Sequence, residues 1–190
     1  KTKITMPNWA ITEYRLFSET SEVKDLYERM KRLLVMKEPL KPNGFGTAWL
    51  GNLVEELGVD FNKVQYRGSW DNLDLDGNVL SFYTETAWYR CTEVEDLIKE
   101  KYPSIDIAFK CEESGMAIYE KNDETFFPED YILDIEDGET LYLSEEETLE
   151  ELSDYFGIDF KDMEEAMILV EENNEKDDGR VWVNHYQLVD

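Results

Sequence analysis

Residues 92–111 read TEVEDLIKEKYPSIDIAFKC, and this stretch decides the fold class. Thr92 and Glu95 have the spacing of a capping box, and Val94, Leu97, Ile98 and Tyr102 fall on one face of the helix it would start. Pro103 stops that helix. Ile105, Ile107, Phe109 and Cys111 then alternate with Asp106, Ala108 and Lys110, the two-residue period of a strand buried on one face. A one-sided helix returning at once into a half-buried strand is the building unit of an α+β sheet with helices on one face.

Upstream, WAITEYRLF (9–17) is rich in β-branched and aromatic residues and reads as a strand. Val23, Leu26, Tyr27, Met30, Leu33 and Leu34 recur at helical spacing until Pro39 and Pro42 break the pattern. A short helix fits Ala48 to Leu57, ended by Gly58. Val64–Trp70 and Val79–Trp88 read as strands on either side of an Asp76-Gly77 hairpin turn. Downstream, Met116–Glu120 and Tyr131–Ile135 are further short strands. Ser144 and Glu147 form a second capping box, with Leu149, Leu152 and Phe156 on one helix face and Glu147, Glu150, Glu151 and Asp154 opposite. A second helix carries Met163, Ala166, Met167 and Val170, Asp178-Gly179 is a turn, and Val181–Val189 a final strand. EELGVDF (55–61) echoes DYFGIDF (154–160), which shared helix-ending chemistry explains. The order β-α-α-β-β-α-β-β-β predicts a ferredoxin-like mixed or antiparallel sheet over residues 1–143, with an acidic helical extension, 144–190, packed on it.

Charge is uneven. Between Glu112 and Asp178 stand 26 Asp/Glu and only three Lys/Arg, namely Lys121, Lys161 and Lys176, so most of the net charge of −26 lies there. Such a field repels nucleic acid and anionic membrane and attracts basic protein faces. A hydrophobic content of 42% excludes the composition of a disordered acidic chain. No apolar run reaches the ~20 residues of a membrane span. Cys91 and Cys111 are 20 residues apart with no second pair, as in a reduced, cytoplasmic protein, a single disulfide being the alternative.

Met6-Pro7-Asn8-Trp9 opening a strand, Gly68-Ser69-Trp70 before a hairpin, Thr84-Glu85-Thr86-Ala87-Trp88 after it, Glu112-Glu113-Ser114-Gly115, and Asn122-Asp123 with Phe127-Pro128 together resemble a ferredoxin-like domain family of unknown function carried by bacterial phages, plasmids and conjugative elements. The resemblance covers residues 6–134. Ala10 stands where members often have Cys, and the Pro that often follows Trp88 is missing. The resemblance implies a fold and a mobile-element setting, and no activity.

Asn72-Leu73-Asp74-Leu75-Asp76-Gly77-Asn78-Val79 has calcium-loop spacing, but Tyr83 stands where the bidentate Glu belongs, and a hairpin explains the segment. Gly44, Gly46 and Gly51 miss a dinucleotide fingerprint, since Trp49 occupies the third glycine position. The only histidine, His185, has no nucleophile motif beside it, and two cysteines cannot supply four thiolates. No catalytic residue, metal or cofactor is therefore expected. Glu113 falls on the apolar phase of its strand, where it caps a turn, pairs with Arg67 or Arg90, or serves as a semi-buried acid or base.

The reading that results is a non-enzymatic, cytoplasmic protein-binding module of a mobile element, with Glu147, Glu150, Glu151 and Asp154 meeting a basic or DNA-binding protein. One alternative is a DNA mimic of the anti-restriction type. Carboxylates at i and i+4 of a helix lie about 6 Å apart, and duplex DNA carries one charge per ~1.7 Å of axis. The other is a small-ligand binder or enzyme whose pocket holds Trp70, Trp88 and Glu113. Crowded carboxylates also predict that mild acid stabilises the fold. No motif encodes an oligomeric state.

Overall fold

The computed structural model describes residues 7–64, 67–135, 138–176 and 181–190. Met6 and the Asp178-Gly179 turn lie outside the described residues. The chain forms two compact units, Lys1–Ile118 and Tyr119–Asp190. The expected boundary after residue 143 falls inside the second of them. Among the described residues the fold is α+β, with five α-helices and mostly antiparallel strands.

The first unit runs β1 (Trp9–Phe17), α1 (Glu22–Leu34), α2 (Leu50–Glu56), β2 (Gly68–Asp76), β3 (Val79–Ala87), α3 (Thr92–Lys101) and β4 (Asp106–Glu113). These strands lie in the order β2-β3-β1-β4, each antiparallel to its neighbour. β1 is central because every second residue, Ala10, Thr12, Tyr14 and Leu16, is buried. Tyr14 stands opposite Phe82 of β3 and Phe109 of β4, and its ring stacks on Phe82 at 5.1 Å. α1 buries Val23, Leu26, Met30 and Leu33, and α3 buries Val94, Leu97 and Ile98, the faces that periodicity assigns to them.

Two local expectations are corrected. β2 covers Gly68–Asp76 rather than Val64–Trp70. Its register shifts between Asp71 and Asp74, with Asn72 at φ +53°, so a bulge carries the strand through its polar half to Gly77 at φ +61°. The Thr92–Glu95 capping box does not form. The N-cap of α3 is Cys91, without a side-chain cap, and Glu95 is bound elsewhere.

From β5 (Ile118–Lys121) the chain continues through β6 (Tyr131–Ile135), β7 (Leu141–Leu143), α4 (Glu145–Phe156), α5 (Met163–Lys176), β8 (Val181–His185) and β9 (Gln187–Leu188). β7-β6-β8 form an antiparallel sheet, and β5 pairs in parallel with β9. Leu152 of α4 and Met163, Ala166 and Val170 of α5 are buried with Tyr131, Leu133 and Val181. The tail helices thus share a core with residues 131–143. The final strand breaks at Tyr186, which is buried and donates its N–H to the Asp130 carbonyl. Inside this unit Lys121 is buried, its Nζ donating to the carbonyls of Phe127 and Glu129 and to Asp130 Oδ1 at 3.0–3.1 Å.

α2 and α4 end alike. Gly58 (φ +83°) and Gly157 (φ +67°) turn the chain left-handed, and the next N–H reaches back five residues, Val59 to Val54 and Ile158 to Ser153. Phe61 then packs edge-on against Trp49, and Phe160 against Phe156.

Candidate functional site

One end of the first-unit sheet gathers several residues of the motifs quoted above. Trp9 pairs with Ala87, and Gly68 with Thr86. Ala87 N–H donates to the Arg67 carbonyl at 2.9 Å, and Trp88 N–H to the Asn8 carbonyl at 2.8 Å. Gly68 is required: a Cβ there would lie 2.4 Å from the Glu85 carbonyl oxygen. A Cβ on Gly115 would lie 2.3 Å from the Asn8 amide nitrogen.

At this end a cleft of about 630 Å³ opens, lined by Trp49, Phe61, Arg67, Trp88, Arg90 and Glu93 among others. Trp88 holds φ +75°, a backbone region that bulky side chains seldom adopt, and leaves 42% of its surface exposed. Arg67 sits 5.9 Å from the Trp9 ring centroid. Arg90 lies 3.9 Å from the Phe109 ring centroid and forms an ion pair with Glu95.

Behind the cleft, the buried Tyr14 hydroxyl donates to Glu95 Oε1 at 2.6 Å and lies 3.5 Å from Cys91 Sγ. Burial, with the nearby Cys91 and Glu95, holds the Tyr14 phenol well above its ordinary value. Burial pushes the Cys91 thiol up to about 12. At neutral pH Cys91 is a protonated thiol, without the character of a nucleophile.

The three residues expected to share a pocket are placed apart. Trp88 lines the 630 Å³ cleft. Trp70 is 2% exposed and borders a different cleft, of about 590 Å³, with Asn72, Tyr83 and Glu85. Glu113 lines neither; its buried carboxylate accepts from Gly115 N–H at 2.9 Å and Met116 N–H at 2.7 Å, which makes it a turn cap. Arg67, Arg90 and Phe61 were not expected in a pocket. Arg67 flanks the Gly-Ser-Trp motif and Arg90 follows Trp88 by two, a proximity that becomes legible once β2 and β3 pair. Among the described residues no group of three His, Cys, Asp or Glu side chains is placed to hold a metal ion.

The acidic helix is as its periodicity predicts. Glu147, Glu150, Glu151 and Asp154 of α4 are all exposed, with Leu152 buried beneath them. The Ser144–Glu147 box is formed, Glu147 Oε2 accepting from Ser144 N–H and Oγ–H at 2.9 and 2.7 Å. Among the described residues Glu150, Glu151 and Asp154 have no cationic partner. Glu164, Glu165, Glu171, Glu172 and Glu175 of α5 are exposed as well. Comparison with protein-family models, curated proteins and solved structures yields no match for this chain.

Proposed function

We propose that the chain is a non-enzymatic protein-binding module of a bacterial mobile genetic element, docking a basic protein surface through the acidic helices of its second unit. The separation of charge carries this reading. Residues 119–190 hold 25 Asp/Glu against four Lys/Arg, a net charge of −21 out of −26. On α4 these carboxylates point outward over a packed apolar face, so the fold does not need them for its core. A rigid helix with fixed negative charges attracts clustered Lys and Arg over a Debye length of about 8 Å at physiological salt.

The first unit serves in this reading as a ferredoxin-like scaffold. Its β1-α-β2-β3-α3-β4 succession and the strand order β2-β3-β1-β4 support that assignment. The mobile-element setting rests on the resemblance carried by Met6-Pro7-Asn8-Trp9, Gly68-Ser69-Trp70 and Thr84–Trp88 in the sequence.

The test is affinity capture from bacterial lysate at low salt, with the natural chain and with a Glu147→Gln, Glu150→Gln, Glu151→Gln, Asp154→Asn variant. The natural chain should retain basic proteins that elute in a salt gradient, and the variant should lose them. Competition by duplex DNA would assign the partner to the DNA-binding class and favour mimicry. Equal capture by both chains would overturn the proposal.

A further inference from the structure

We propose that the cleft at the end of β3 binds a small planar aromatic ligand carrying one anionic group, its ring against Trp88 and its charge on Arg67. The cleft lies wholly within the first unit, and its volume of about 630 Å³ falls in the range of small-molecule sites. Trp88 is the main observation. Its φ of +75° lies beside those of Gly46 (+77°) and Gly58 (+83°), and the other non-glycine residues at positive φ, Asn72 (+53°) and Ala117 (+54°), are smaller and less far into that region. A bulky residue in that conformation persists where its surroundings impose it, here through the hydrogen bond to Asn8. The strained residue is not a core residue: it remains 42% exposed and lines the cleft. An aromatic face held there against its backbone preference is a stacking platform, and the Trp49–Phe61 edge pair adds further apolar lining.

The cations decide the charge. Arg90 is already matched by Glu95. Arg67 is exposed, lies over the Trp9 ring at 5.9 Å from its centroid, and pairs with no carboxylate among the described residues. A guanidinium free of any carboxylate and beside an aromatic ring suits a carboxylate or a phosphate monoester. Glu93 also lines the cleft and disfavours a polyanion. An aromatic carboxylate and a nucleoside monophosphate share the required chemistry.

The experiment is calorimetric titration of the full chain with 2-naphthoate and with adenosine monophosphate, each beside its neutral counterpart, 2-naphthamide or adenosine. At least one anion should bind with Kd below about 1 mM, about tenfold tighter than its neutral counterpart. The anion that does so identifies the source. Arg67→Gln should remove that advantage and leave neutral-probe affinity unchanged. Trp88→Gly should weaken charged and neutral probes alike by about tenfold. Glycine accepts the backbone but loses the packing of the covered part of the ring, so a cooperative urea transition of this variant shows that it is folded when titrated. Trp88→Phe should retain binding. The acidic-helix variant should bind as the natural chain does, so this proposal and the protein-docking one fail independently. The proposal is overturned if neither anion binds by about 10 mM, if the charge advantage survives Arg67→Gln, or if Trp88→Gly binds normally.

Discussion

The buried Tyr14 hydroxyl donates to the half-buried Glu95 carboxylate, which it shares with Arg90. Tyr14→Phe keeps the stack on Phe82 and removes only the donor, and Arg90 still satisfies Glu95. The expected loss is about 2 kcal/mol, the usual worth of a hydrogen bond to a charged group, read from the urea midpoint of the full chain. An unchanged midpoint would mean that this bond adds nothing net. The same cluster fixes an alkaline dependence. In the unfolded chain a thiol begins to ionise near pH ~8.5, whereas burial keeps the Cys91 proton until about 12. Between these values the unfolded state binds fewer protons, so stability falls with rising pH, with a slope that grows toward about 1.4 kcal/mol per unit for this one group. Tyr14, also held above its ordinary value by burial, adds to the fall above pH ~10. Cys91→Ala should flatten the profile between pH 8.5 and 10 in urea titrations. An equally steep profile in that variant would show that the thiol is not its source.

At the level of elements, the two capping boxes expected from sequence had opposite outcomes for a physical reason. The Ser144 hydroxyl and the exposed Glu147 carboxylate have no competing side-chain partner among the described residues, so local geometry prevails, and Ser144→Ala should cost about 1 kcal/mol by urea unfolding. Glu95 has the same spacing from Thr92, but the buried Tyr14 hydroxyl and Arg90 offer it stronger partners than a backbone N–H. Local features were legible for this reason: the alternation of β1, the faces of α1 and α3, and the glycine exits at Gly58 and Gly157 depend on neighbours a few residues away. β2 was misplaced because Asn72, Asp74 and Asp76 are poor strand formers, tolerated on an edge strand through a bulge at Asn72. The cleft was half legible, in Trp88, because Arg67 and Arg90 reach it only through the pairing of β2 with β3. The expected stabilisation by mild acid is opposed, at lower pH, by four individual carboxylates. Glu147 is held below its ordinary value by the Ser144 side chain and backbone, Asp25 by Tyr102 and Arg29, and Asp60 and Asp162 by backbone N–H groups and their neighbours. A depressed folded value means a contribution present above the unfolded value and lost as pH falls through the folded one. The Tm should therefore drop between pH 5 and 3, and the gap between the natural chain and Glu147→Gln should close over that range. A Tm that rises between pH 5 and 3 would show that relief of carboxylate repulsion outweighs these four groups.

For the whole molecule, the question is what a net charge of −26 costs. On α4 the pairs Glu146–Glu150, Glu147–Glu151 and Glu150–Asp154 are four apart, and Glu147–Glu150 and Glu151–Asp154 three apart, all on exposed positions. Two like charges about 6 Å apart in water repel by about 0.7 kcal/mol before screening. Taking the Debye length from about 30 Å at 0.01 M salt to about 8 Å at 0.15 M removes roughly a third of a kcal/mol or less from each pair. Over the helix that sums to about 1 kcal/mol, which for a chain of this size moves Tm by roughly 2–4 °C. The natural chain should thus melt higher at 0.15 M than at 0.01 M salt by that amount. A Glu150→Gln, Glu151→Gln, Asp154→Asn variant breaks every one of these pairs while leaving the Ser144–Glu147 box intact. It should start from a higher Tm at 0.01 M and gain less from salt. If partner docking is why the carboxylates are there, the same variant should be more stable and bind less, a trade that a merely solubilising face would not make. A variant with unchanged Tm at low salt would mean that the helix carries its charges without strain, and that the repulsion lies elsewhere in the second unit.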